Sequence, residues 1–122
     1  MRALIVDDSR FVRNYLRSLL EAKGIECEEA GDGQTGIGLL NTGMPFDLAL
    51  VDWNMPVMDG LEMVRQARAQ GFVGVKVVMV TIEADNDFIL RALEAGADEY
   101  LMKPFDEEAL SEKLAMLGLA EA

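Results

Sequence analysis

Four short apolar runs, ALIV at 3–6, LALV at 48–51, VVMV at 77–80 and YLM at 100–102, recur along this chain at wide intervals. Unbroken runs of this kind belong to strands buried on both faces, as in a parallel sheet, whereas a half-solvated strand alternates polar and apolar residues. A weaker run, IECEEA at 25–30, falls between the first two. The segments between runs repeat at helical spacing. Phe11, Val12, Tyr15, Leu16, Leu19 and Leu20 precede a Lys23-Gly24 stop, and LEMVRQARAQG at 61–71 behaves likewise. Five strands alternating with five helices predict an α/β fold: a doubly wound parallel sheet covered by helices on both faces. The helix expected at 32–43 has the weakest propensity, because Gly33, Gly36 and Gly38 each cost about 1 kcal/mol relative to alanine. It is expected to be loosely held.

The 122 residues, 51% of them hydrophobic, suit one domain spanning 1–122 with a substantial core. Twenty-two acids against 11 bases give a net charge of -11, which repels nucleic-acid backbones and anionic lipid; no basic patch offsets it, so neither partner is expected. The start MRALIVDDS has the form of neither a signal peptide nor a membrane helix, so a cytoplasmic chain is expected. The single cysteine, Cys27, excludes an internal disulfide and reads as an inert packed thiol. The chain has no histidine. That excludes histidine-ligated zinc, a Ser-His-Asp triad and service as a phosphohistidine donor, so any histidine chemistry must come from a partner.

In a doubly wound sheet, ligands bind beyond the carboxyl ends of the strands, where strand order reverses. Asp7 and Asp8 follow the first run, Asp52 the third, Thr81 the fourth and Lys103-Pro104 the fifth. Taken singly, most have plain explanations. Asp7, Asp8 and Ser9 could cap a helix, Thr81 could start one, and a lysine is most often solvated. Asp52 resists such a reading, since it ends a buried strand and the next helix-start signal, Asp59-Gly60, lies seven residues on. Three clustered carboxylates repel one another unless a cation lies between them, and an all-oxygen donor set favours Mg2+. Lys103 and Thr81 would then clamp and hydrogen-bond a phosphoryl group, and Asp52 would be a nucleophile able to form an acyl phosphate.

The set VDDS, VDWNMPVMDG, VTIEA and YLMKPF resembles the receiver domain of two-component response regulators, most closely the stand-alone chemotaxis type, over residues 3 to about 118. The resemblance implies a flavodoxin-like sheet of order 2-1-3-4-5. It implies that Asp52 is the phospho-acceptor, and that Asp8, Asp52 and the backbone carbonyl of Asn54 bind Mg2+ directly while Asp7 acts through water. Thr81 would bond the phosphoryl oxygen, Lys103 would neutralise it, the Lys103-Pro104 bond would be cis, and Tyr100 would be the switch aromatic. Asn54 and Glu83 fall at positions that tune dephosphorylation. Ile82 departs from the pattern, which has a small residue there, and should crowd the approach to Asp52. The implied phosphodonor is a histidine kinase or phosphotransfer protein, and the implied output is binding to a downstream target protein. The chain would catalyse only its own phosphorylation and dephosphorylation. Chemotaxis is the nearest analogy, with a phosphorelay shuttle or a receiver cut from a larger regulator as alternatives. A haloacid-dehalogenase-type phosphatase would need D-x-D after the first strand, where this chain has D-D-S; a flavodoxin would need a Ser/Thr-rich loop where DDSRF stands.

The helix expected near 84–95 carries more apolar residues than one core-facing stripe requires. Phe88 and Leu90 read as packed, whereas Ile89 and Leu93, one turn apart, read with Tyr100 as a partner site. Trp53, the only tryptophan, is expected to be half exposed beside the site.

Overall fold

The computed structural model describes residues 1–83 and 85–119. Its order is β1 (Arg2–Val6), α1 (Arg10–Glu21), β2 (Glu26–Ala30), α2 (Gly33–Leu40), β3 (Leu48–Asp52), α3 (Gly60–Ala69), β4 (Lys76–Thr81), α4 (Asn86–Ala95), β5 (Glu99–Met102) and α5 (Glu107–Met116). The five strands form one parallel sheet in the order β2-β1-β3-β4-β5. β3 is buried at all five residues, which is why its sequence shows no polar alternation. Two cores result. One packs α2, α3 and α4 on the face bearing Leu4, Val6, Val51 and Met79; the other packs α1 and α5 against Ile5, Leu50, Val78 and Leu101.

The acid excess has a local use. Asp32, Asp59, Asp85 and Asp106 each cap a helix, and Ser9 caps α1, accepting from the Val12 N–H. Asp7 and Asp8 are thus not needed as caps. Thr81 does not start a helix; α4 begins after Asp85, and Ala84, where the sequence reading placed the first residue of that helix, lies outside the described residues.

The weak second helix forms over Gly33–Leu40, shorter than expected. A Cβ on Gly36 would stand 2.8 Å from Cε of Met63 and 3.1 Å from Cγ2 of Val6, so the glycine that lowers propensity lets α2 lie close against α3 and β1. The loop after Asp52 turns tightly. Val57 has φ of +69° and the Met58 N–H donates to the Pro56 carbonyl at 2.8 Å, a γ-turn of the less favoured hand. α3 then begins hard against the strand end, where a Cβ on Gly60 would meet the Asp52 carbonyl oxygen at 2.2 Å. Gly60→Ala must therefore displace the backbone that carries Asp52. We expect a loss of about 1–3 kcal/mol, read as a lowered denaturant midpoint, whereas Gly38→Ala, with open space at its Cβ, should be neutral or stabilising.

Candidate functional site

Strands β1, β3, β4 and β5 bring their carboxyl ends to one edge of the sheet, whose strand order reverses at the β1/β3 junction. Asp7 there is 1% exposed and Asp52 5% exposed, while Asp8 is open to solvent. Carboxylate oxygens of Asp7, Asp8 and Asp52 lie within 4.8 Å of one another. Lys103 follows the end of β5, and its peptide bond to Pro104 is cis. Its Nζ donates to Asp7 Oδ2 at 3.2 Å and to Asp52 Oδ1 at 3.3 Å. Its bland alternative, a solvated surface lysine, is not what the fold provides. Thr81 is 3% exposed; its Oγ1 accepts the Glu83 N–H at 3.0 Å and its carbonyl accepts the Lys103 N–H at 2.8 Å.

Burial is the largest influence on Asp52 and raises its carboxyl, the charge of Asp7 raises it further, and Lys103 and the Asn54 N–H pull it down. The outcome is a pKa of about 6. Burial would lower Lys103, but Asp52 and Asp7 outweigh it, so the ammonium is held above its ordinary value and stays charged. Three carboxylates against one ammonium leave two negative charges uncompensated, all on oxygen donors. That deficit and that donor set fit a hard divalent cation such as Mg2+.

Of the remaining sequence-predicted residues, some lie on loops that follow the strand ends, while Ile89, Leu93 and Tyr100 line a hollow that includes none of these groups. Asn54 and Glu83 are exposed on the adjoining loops. Ile82 is 63% exposed and lines a cleft of about 310 Å³ with Phe11, Tyr15, Lys103, Pro104 and Phe105. Tyr100 is half-buried, with the Lys113 ammonium 4.3 Å from its ring centroid. A hollow of about 170 Å³ joins Tyr100 to Ile89, half-buried, and Leu93, exposed. Two expectations fail. Trp53 is buried rather than half exposed, its ring edge-on to Phe88 at 5.0 Å with the Arg91 guanidinium 5.7 Å from its centroid. Leu90 is 55% exposed rather than packed: α4 buries Ala92 and Ala95 with Phe88 beside them, and Leu90 lies on the opposite side of the helix. Cys27 is buried as expected, its thiol pushed up to about 11 chiefly by burial. The sequence reading also missed Arg13, whose Nη1 donates to the Asp7 carbonyl at 2.6 Å; its place one turn into α1 was the only signal. It missed too that Phe11, within the apolar spacing of α1, is 80% exposed at the cleft.

The direction of the Asp52 shift has a consequence for stability. Its folded pKa lies above the unfolded value, so the folded state holds the proton more tightly, and the stability this contributes at low pH is lost as pH rises from about 4 to about 6. In the metal-free protein, Asp52→Asn should flatten that fall and be more stable at pH 7 by roughly 2–3 kcal/mol, checked by denaturant unfolding across pH. Asp7, already paired with Lys103, would keep that partner in the variant.

The family model described as the response regulator receiver domain matches residues 3–115. The chemotaxis protein CheY of Pseudomonas aeruginosa is 40% identical over 116 residues, covering 93% of each chain. CheY-3 of Vibrio cholerae is 39% identical, covering 93% of this chain and 88% of its own. Among solved structures, chemotaxis protein CheY4 of Vibrio cholerae superposes with a TM-score of 0.89 at 33% identity, over 94% of this chain and 96% of its own. A CheY-like receiver domain protein from Methanospirillum hungatei gives 0.86 at 35% identity, over 95% and 91%. A deep acidic corner at the switch point of a 2-1-3-4-5 sheet, and relatives this similar along nearly their whole length, make the chain a member of the response regulator receiver family of two-component signalling.

Proposed function

We propose that this protein is a single receiver domain that accepts a phosphoryl group on Asp52 from a phosphohistidine of a partner kinase or phosphotransfer protein, in a Mg2+-dependent step in the cytoplasm. The observation that carries this reading is Asp52 itself, a carboxylate delivered by a fully buried strand to face two further carboxylates and one ammonium. Asp8, Asp52 and the Asn54 carbonyl would hold the cation. Asp7 would act through water, because its Oδ1 already accepts the Ser9 N–H and its Oδ2 the Lys103 ammonium. When bound, Mg2+ would withdraw charge from the phosphoryl oxygens.

An Asp52 oxygen forms the new O–P bond as the donor's N–P bond breaks. Lys103, already between Asp7 and Asp52, neutralises the phosphoryl oxygens. The Thr81 hydroxyl accepts from Glu83, so its own proton remains available to a phosphoryl oxygen. Drawing Thr81 and Lys103 towards the phosphoryl group shifts the balance between two loop arrangements, and only contacts that differ between them can do so. Tyr100 then reports the shift to the hollow beside Ile89 and Leu93, the surface offered to a downstream target. Similarity to chemotaxis proteins favours a chemotaxis-type target over a relay shuttle.

The test is intact mass after incubation with Mg2+ and a small acyl-phosphate donor. One phosphoryl adduct that requires Mg2+ and is absent from Asp52→Ala is expected; an adduct that persists in the variant would refute the assignment. Ile82 is exposed and lines a cleft with Lys103, where its bulk would crowd an incoming donor, so Ile82→Ala should accumulate the adduct severalfold faster. Equal time courses would remove that role for Ile82.

A further inference from the structure

Every polar group of Asp7 has a partner. Its N–H donates to the Ala30 carbonyl at 3.1 Å, Oδ1 accepts the Ser9 N–H at 2.8 Å and Oδ2 accepts Lys103 at 3.2 Å. The fourth partner comes from outside the acidic cluster: Arg13, on α1, donates Nη1 to the Asp7 carbonyl at 2.6 Å. The Arg13 Nε donates in turn to Oε1 of Glu29 on β2 at 3.1 Å, and both side chains are largely buried, at 18% and 22% exposure. The guanidinium therefore ties three elements together at the point where the chain leaves β1, just before Asp8. Arg17, one turn further along α1, shares the Glu29 carboxylate, but its other donors go to Glu21 and to the Cys27 carbonyl at 2.7 Å.

A guanidinium this close to a cation site has two opposed effects. As a charge it disfavours a cation. As a fixed hydrogen-bond donor it sets the direction of the backbone from which Asp7 and Asp8 project, and such supporting bonds hold ligands in the geometry a metal needs. Glu29 offsets the charge, so the fixed bond is what the site retains. We infer that Arg13 is a positioning residue for the divalent-cation site, clamping the Asp7 carbonyl between α1 and β2 so that Asp7 and Asp8 present their carboxylates in register with Asp52. The inference rests on the Mg2+ reading of the acidic cluster.

The two effects differ in sign, which makes them separable by titrating the metal alone into the protein in a calorimeter. Arg13→Met should bind Mg2+ about tenfold more weakly, the low end of the loss that follows removal of a ligand-orienting bond. Arg13→Lys, with one donor able to reach a carbonyl, should recover part of the affinity and stands in for the comparison if the methionine variant does not fold. Arg17→Met breaks the neighbouring bonds of the same α1–β2 network, with any stability they carry, and should keep the parent affinity. Unchanged or tighter binding in both Arg13 variants would overturn the clamp, and so would an equal loss in Arg17→Met. A folded parent protein that does not bind Mg2+ would overturn the metal reading and the clamp with it, an outcome distinct from a parent that binds and variants that bind equally.

Discussion

The Lys103 ammonium lies between two buried carboxylates delivered by different strands, Asp7 after β1 and Asp52 at the end of β3. Removing such groups from water costs several kcal/mol each unless they are paired, so this contact is a condition for the rest of the corner. It is an incomplete one. Asp52 stays raised to about 6 in spite of Lys103, which offsets only one charge of the three-carboxylate cluster, and Asp8 has no cationic partner among the described residues. The fold thus carries a standing electrostatic deficit at its switch point, which a divalent cation can relieve. Binding energy at this site is already built in before any ligand arrives.

The scaffold that sustains the deficit is stiff where it must be. β3 is buried along its length, its last carbonyl touches the start of α3 so closely that only glycine fits at residue 60, and Trp53 is fixed under Phe88 and Arg91 of α4. Asp52 therefore has little freedom to move away from Lys103. The parts facing outward are different in kind. Asn54, Ile82 and Glu83 lie on exposed loops, and the Thr81 hydroxyl accepts one backbone N–H while keeping its own proton for a further acceptor. A rigid acceptor beside exposed loops would suit a site at which a small change of charge selects between conformations.

The sheet was legible because its strands are buried on both faces, so LALV and VVMV announce themselves without context, and their polar successors mark the ligand edge. The order of the strands, by contrast, came from a family resemblance. What the sequence hid are matters of direction. Helical spacing identifies an apolar stripe but not its phase, so Phe11 and Leu90 were read with residues that turn inward. Trp53 was judged from its place beside a polar site, whereas its side chain follows the pleat of β3 into the core under α4. Gly36 was charged with a propensity cost, while the close contact with Met63 that makes it useful is made across space. Arg13 offers only its place one turn into α1, because the group it serves is a backbone carbonyl, which no residue type advertises.

Asp52, a buried and under-compensated carboxylate, is the group on which a bound cation should act most strongly. The most direct test is a titration of its side-chain carboxyl carbon by NMR, with and without Mg2+. A midpoint near 6 in the metal-free protein that falls when Mg2+ is added is the predicted result. A midpoint in the ordinary aspartate range, about 3.9, that ignores Mg2+ would contradict it.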